Sequence, residues 1–193
     1  MNPIAYSIDI ETLALTTDAH ILQIGFAGMN LKTGEQLVEP TDFWMTVDQP
    51  GRRIDPGTVS WWADPPLSTF TQVHVAPPGV QRSSFADVRA ELAKRLPQGQ
   101  DYGLWANHIA FGLGNLRTAF WPSRTPWHYK TEQDLPTIAA LLDPSGAVRE
   151  TIDSVAAHVA SADAQWNLEY LRALYKRRQD EVHTLWAYSE LKT

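Results

Sequence analysis

Two short patterns in this 193-residue sequence hold the residue types that could do chemistry. The first is the run IAYSIDIE, residues 4–11, which ends in Asp9 and Glu11. On a strand, alternate side chains share a face, so these two carboxylates would point the same way. Two anions side by side at a strand end repel each other. A hard divalent cation, which takes oxygen ligands, would relieve that repulsion; a pair of solvated acids at a strand terminus fits the same residues. The second pattern is AHVASADAQWNLEYL, in which His158 and Asp163 lie five positions apart ahead of an amphipathic stretch. Asp163 would fall in the first turn of a helix, where the dipole favours a negative charge, with Ser161 as the expected N-cap. Ordinary helix-start chemistry accounts for these residues when they are taken alone.

The elements that must position these groups are legible in outline. Residues 4–10, 20–29 and 38–47 read as three successive strands, with a turn at NLKTGEQ between the second and third. A short helix is expected to open at Asp55-Pro56, since an acid followed by proline is a good helix start. SSFADVRAELAKRL places Phe85, Val88, Leu92 and Leu96 at helical spacing behind Ser84 as N-cap. QGQDYGLWANH reads as a turn and a fourth strand, LGNLRTAFW as a helix stopped by Pro122, and DLPTIAALL as a short helix or turn. After DPSG and TIDSVAAHVA, the run SADAQWNLEYLRALYKRR predicts a long amphipathic helix that buries Trp166, Leu168, Leu171 and Leu174. The order is that of a single mixed α/β domain.

Together, an Asp-x-Glu on the first strand and a His-x4-Asp opening the last helix resemble the DEDDh branch of the DnaQ-like 3'–5' exonucleases. Within that superfamily the chain is similar to a phage-associated and mycobacterial exoribonuclease-like group. DPGTVSWWAD, LWANHIAFGLGNLRTAF and PWHYKTEQDLPT each resemble a segment of that group, in the same order, so the likeness runs from about Ile4 to about Tyr175. The resemblance implies a ribonuclease H-like mixed sheet, antiparallel over its first three strands and flanked by helices. The domain would span residues 1–178, with a helical extension over 179–193. It also implies Mg²⁺ or Mn²⁺ as cofactor. Asp9, Glu11 and Asp163 would hold the ion that activates water, and His158 would act as general base, a step suited to an imidazole. Thr12 would touch the terminal nucleotide. Trp61 and Trp62 either stack on a base or fill the core. Asn107 and Phe111 complete the expected substrate contacts.

One departure stands out. The group carries an aspartate after the phenylalanine that follows the fourth strand, and here Phe111 is followed by Gly112. No Asp or Glu occurs from Tyr102 to Thr131. Asn107, His108 and Asn115 are the nearest polar substitutes, and Gln133 replaces the arginine expected before Asp134. The first ion therefore keeps its three carboxylates, while the second loses a ligand. Metal clamps supply several kcal/mol of transition-state stabilisation, and about 1.4 kcal/mol is a factor of ten in rate. Loss of the second ion would thus cost orders of magnitude in activity without threatening the fold.

Composition narrows the remaining choices. Hydrophobic residues make up 44% of the chain and charged residues 20%, a globular balance. With no cysteine, disulfides and thiolate metal sites are excluded. No signal peptide or membrane span is read, so a cytoplasmic protein without membrane contact is expected. The net charge of −6 argues against a surface that coats nucleic acid, though not against capture of one strand end. Three functions follow: an exonuclease on single-stranded RNA or DNA 3' ends, slowed by the missing aspartate; a catalytically silent relative that binds nucleic-acid ends or a protein; or a protein that holds a mononucleotide with one ion. Eight tryptophans and the C-terminal run YKRRQDEVHTLWAYSELKT leave room for a homodimer.

Overall fold

The computed structural model describes residues 1–64, 73–153 and 158–190, with side chains as far as residue 181. Five strands form one sheet: β1 (Ile4–Thr12), β2 (Ile21–Asn30), β3 (Gln36–Trp44), β4 (Gly103–Ala106) and β5 (Glu132–Asp134). Their spatial order is β3-β2-β1-β4-β5. β1, β2 and β3 pair antiparallel, whereas β4 runs parallel to both β1 and β5. The helices are α1 (Pro56–Trp62), α2 (Phe85–Arg95), α3 (Gly112–Phe120), α4 (Leu135–Leu142) and α5 (Ala160–Glu190). Among the described residues, no helix is long and apolar enough to cross a membrane.

The period of two in β1 sorts the core into two layers. Tyr6, Ile8 and Ile10 pack with Val88 and Leu92 of α2 and with Leu113, Leu116 and Phe120 of α3. Ala5 lies on the opposite face, against Leu168, Leu171 and Leu174 of α5 and Leu135 of α4. Small residues dominate that second face near the middle of the sheet, namely Ala5, Ser7, Gly25 and Ala27, so the last helix can lie close to the backbone. Asp9 and Glu11 continue the Ala5–Ser7 face and are therefore turned toward the start of α5.

Boundaries moved slightly from those read in the sequence. β1 continues to Thr12, which keeps Glu11 inside the strand, and β3 ends at Trp44. Asp55 caps α1 through the Thr58 N–H, and Ser84 caps α2 in a reciprocal capping box with Asp87. Asp134 caps α4 through the Thr137 N–H. Residues 154–157 of TIDSVAAHVA lie outside the described residues. α5 runs unbroken past residue 178 as far as Glu190; residues 191–193 of the expected extension lie outside the described residues.

Ser161 is not the cap of α5. The helix opens at Ala160, and its first N–H groups are met from the sheet: Gln23 Oε1 accepts from the Ala160 N–H at 3.0 Å, and Asp42 Oδ1 from the Ser161 N–H at 2.8 Å. The Ser161 hydroxyl donates to Asp42 Oδ2 at 2.7 Å. The capping acceptors lie on β2 and β3, far away in sequence, so no local capping signal could reveal them. Between them sits Gly25, where a Cβ would fall inside the contact radius of the Ala160 and Ser161 backbone. Gly25→Ala should therefore push α5 off the sheet. Overpacking of this kind costs about 2 kcal/mol or more. For a chain of this length that is a fall in Tm of roughly 5 °C or more in a thermal melt. An unchanged Tm would mean that the helix start is not seated on β2.

Candidate active site

Glu11 is 7% exposed, and Asp9 is partly open to a cleft of about 890 Å³ at the end of β1. A register irregularity between Glu11 and Thr12 ends the regular pairing with β2 just beyond the acidic pair. Across the cleft, the seated start of α5 presents Asp163, whose Oδ2 accepts the backbone N–H of His158 at 2.9 Å. His158 has φ 65°, a left-handed conformation that non-glycine residues seldom adopt, and it is exposed to solvent. Ligand atoms of Glu11, His158 and Asp163 all lie within 4.8 Å of one another. Asp9 lines the same cleft, although it falls outside that tightest group of three.

The electrostatics follow from crowding acids in a desolvated place. Burial, and then the Asp163 carboxylate, push the Asp9 carboxyl up to about 8. Burial also raises Glu11 well above the usual range, with Asp9, Asp163 and Asp42 adding to the effect. Asp163 is raised by burial, partly offset by the His158 N–H and imidazole. Oxygen-rich, negatively charged and short of internal cations, this set has the donor chemistry that Mg²⁺ or Mn²⁺ requires.

The opposite wall comes from the C-terminal end of β4. Asn107, His108, Phe111 and Gly112 all line the cleft, so the position where the resemblance implies a carboxylate and the chain has none lines the same space as Asp9. Space is not the reason: a Cβ on Gly112 would meet only the Ala106 methyl, at 3.4 Å. Asn115 does not compensate. It is fully buried, donates to the Thr16 and Phe111 carbonyls, and accepts from the Ala19 N–H and Arg52. Asp134 is likewise engaged, by the Ile109 N–H and by Thr137.

The two tryptophans divide the roles considered for them. Trp62 is 2% exposed and donates its indole N–H to the Thr12 carbonyl at 2.9 Å, as a core residue would. Trp61 is 45% exposed and meets the His158 ring edge-on, with centroids 4.9 Å apart. The Thr12 hydroxyl is spent on the Ala14 carbonyl at 2.8 Å. Sequence reasoning missed Arg149 and Glu150, which line the cleft from a 3₁₀ turn over Arg149–Thr151. It also missed Gln23 and Asp42. None of these four sits in a pattern with chemical meaning along the chain.

Comparison with known families decides the relationship. Residues 5–175 match the model of the Rv2179c-like family, described as a 3'-5' exoribonuclease Rv2179c-like domain. The chain belongs to this family. No curated protein matches the chain in sequence. Among solved structures, the Rv2179c-like chain resembles product-bound exonuclease I with a TM-score of 0.63 at 12% identity, over 97% of this chain and 46% of that one. It resembles the zinc-bound E. coli exonuclease I–single-stranded DNA complex with a TM-score of 0.66 at 15% identity, over 97% and 43%. It resembles the Mg²⁺- and Mn²⁺-bound form of S. pombe Pop2p with a TM-score of 0.63 at 13% identity, over 91% and 84%. The chain thus spans less than half the length of these exonuclease I chains, and at such identities the likeness is one of fold.

The raised acids make a prediction for the Rv2179c-like domain without metal. A carboxyl whose pKa is higher folded than unfolded stabilises the fold below its unfolded value, and that contribution is lost as pH rises through the folded value. For Asp9 the window runs from about 4, the ordinary aspartate value, up to about 8. In EDTA, Tm should fall as pH rises through this window. Asp9→Asn should flatten the fall, and Mg²⁺ or Mn²⁺ at pH 8 should reverse it. A Tm that rises with pH in EDTA, or ignores the ion at pH 8, would contradict this arrangement.

Proposed function

We propose that this protein is a divalent-metal-dependent 3'–5' exonuclease that removes nucleotides one at a time from single-stranded 3' ends. The observation that carries this reading is the meeting of Glu11, His158 and Asp163 within 4.8 Å at the floor of an open cleft, in a chain of exoribonuclease family. Asp9, Glu11 and Asp163 would hold Mg²⁺ or Mn²⁺, which supplies Lewis acidity and an activated water when bound. The metal-bound form of Pop2p and the exonuclease I complex with single-stranded DNA support the choice of cofactor and strand.

The chain's own groups account for the rest. His158 accepts a proton from the attacking water as the new O–P bond forms. The P–O3' bond breaks, O3' takes a proton from solvent, and a nucleoside 5'-monophosphate leaves. Exposure lets His158 return its proton to solvent between turnovers. Trp61, half-exposed beside His158, would stack on the terminal base, with Phe111 in the same pocket and Asn107 in the adjoining cleft as further contacts. Trp62 and Thr12 act from behind, fixing Trp61 and the end of β1. A catalytically silent relative that binds strand ends, a nucleotide or a protein partner is the second reading, favoured by Gly112, Gln133 and the net charge of −6.

Single-stranded RNA and DNA labelled at the 5' end, incubated with Mg²⁺ or Mn²⁺, test both readings. The wild type should give a ladder that shortens from the 3' end. Loss of a general base costs about 10² to 10⁴ in rate, and His158→Ala should fall in that range. Asp9→Ala should be at least as severe. Gly112→Asp, for which space exists, should accelerate cleavage. Cleavage by Gly112→Asp alone would establish the silent relative. No cleavage by either protein would sink the exonuclease reading.

A further inference from the structure

The cleft is charged against its own substrate. Asp9, Glu11, Glu150 and Asp163 all line it, and a scissile phosphate would bring another negative charge. An ion held by Asp9, Glu11 and Asp163 answers part of this at the β1 end. Gly112 offers no carboxylate to hold a second, and the nearby Asp134 is engaged by the Ile109 N–H and Thr137. Among the described residues lining the cleft, one side chain carries a permanent positive charge, and that is Arg149.

Arg149 is presented by a built support. Asp143, whose side chain is fully buried, accepts the backbone N–H groups of Val148 at 3.1 Å and Arg149 at 3.0 Å. The Tyr170 hydroxyl donates to the same carboxylate at 2.9 Å, and Arg177 lies 3.6 Å away. These contacts fasten the turn through its backbone, so its shape does not depend on the Arg149 side chain. The guanidinium carbon lies 5.5 Å from the centroid of Trp166, which packs on Tyr170 and itself lines the cleft. Stacking over a ring restricts the guanidinium and leaves its edge N–H groups to hydrogen-bond. Among the described residues, no carboxylate pairs with it.

Resting on the exonuclease reading, we infer that Arg149 is a catalytic residue that binds the scissile phosphate in this cleft and stabilises the leaving O3'. There it supplies the positive charge that a second ion would otherwise bring. As the P–O3' bond breaks, its electron pair stays on O3'. Arg149 donates a hydrogen bond to that oxygen without giving up its proton, and water provides the proton that O3' takes. A guanidinium suits this position because its forked N–H groups match phosphate oxygens and its charge persists at every working pH.

The test compares wild type, Arg149→Ala, Arg149→Lys, Gly112→Asp and the Arg149→Ala/Gly112→Asp double variant. Loss of a donor to developing oxyanion charge costs about 100-fold or more in kcat. Arg149→Ala should show that loss with an unchanged Tm, and Arg149→Lys should recover part of it. In the Gly112→Asp background, where a second ion can bind, the same truncation should cost less than roughly tenfold, because the two charges serve one oxygen. Equal costs in both backgrounds would overturn the inference, as would an Arg149→Ala rate within about threefold of wild type. Calorimetric titration with Mn²⁺ and a nucleoside 5'-monophosphate gives a readout independent of turnover. One ion per wild-type chain is expected, with weaker nucleotide binding in Arg149→Ala. Two ions, one of them lost in Glu150→Gln, would assign the missing ligand to Glu150 and overturn the role given to Arg149. If the wild type cleaves nothing, the exonuclease reading fails by itself. Nucleotide binding then decides whether Arg149 holds phosphate, and unchanged affinity in Arg149→Ala refutes that too.

Discussion

The close seating of the last helix on the second strand governs everything at this site. Gly25 leaves no side chain between β2 and the Ala160–Ser161 backbone, while Gln23 and Asp42 meet the first N–H groups of α5 from the sheet. A helix start held this firmly can bring a carboxylate against two others. The repulsion among Asp9, Glu11 and Asp163 works against that arrangement, and is answered by a rigid scaffold and by protonation or a cation. Buried order is thus built into the scaffold first, and the chemistry sits on it.

Charge within the cleft is uneven in a way that the fold explains. The β1 end has its carboxylates because both come from one strand and the third from a helix pinned to that sheet. The β4 end depends on the first turn of α3, where Gly112 has room for a side chain and carries none. The Arg149–Thr151 turn brings an arginine and a glutamate into the same cleft, held by the buried Asp143. Acids from β1 and α5 and an arginine from a separate turn therefore share one cleft.

Local and periodic features were readable from the sequence, because they depend on neighbours within a few positions. The alternation of β1, the caps at Asp55 and Ser84, the spacing of α2 and the amphipathic run of α5 all emerge from covalent geometry and burial. Asp9 with Glu11, and His158 with Asp163, were each visible as a short pattern; what joined them as one set was the resemblance to the DEDDh exonucleases. The absence of a carboxylate at Gly112 was equally plain, since an absence over a whole segment requires no contact to be known.

Only the tertiary structure decided how distant residues share their work. Asn115 and Asn107 are the same residue type, yet one is buried and consumed by four hydrogen bonds and the other lines the cleft. Trp61 and Trp62 are adjacent in sequence and part in environment, because the helix that carries them buries one ring and leaves the other half-exposed. Ser161 looked like a cap, but the acceptors arrive from strands more than a hundred positions away. Arg149 carries no sequence pattern at all. Its turn is fixed by Asp143 a few positions away, and α5 closes over that carboxylate with Tyr170 and Arg177. Sequence alone therefore determined which local groups exist and how each element faces. The packing of elements determined which groups meet, since hydrogen bonds and desolvation act through space and not along the chain.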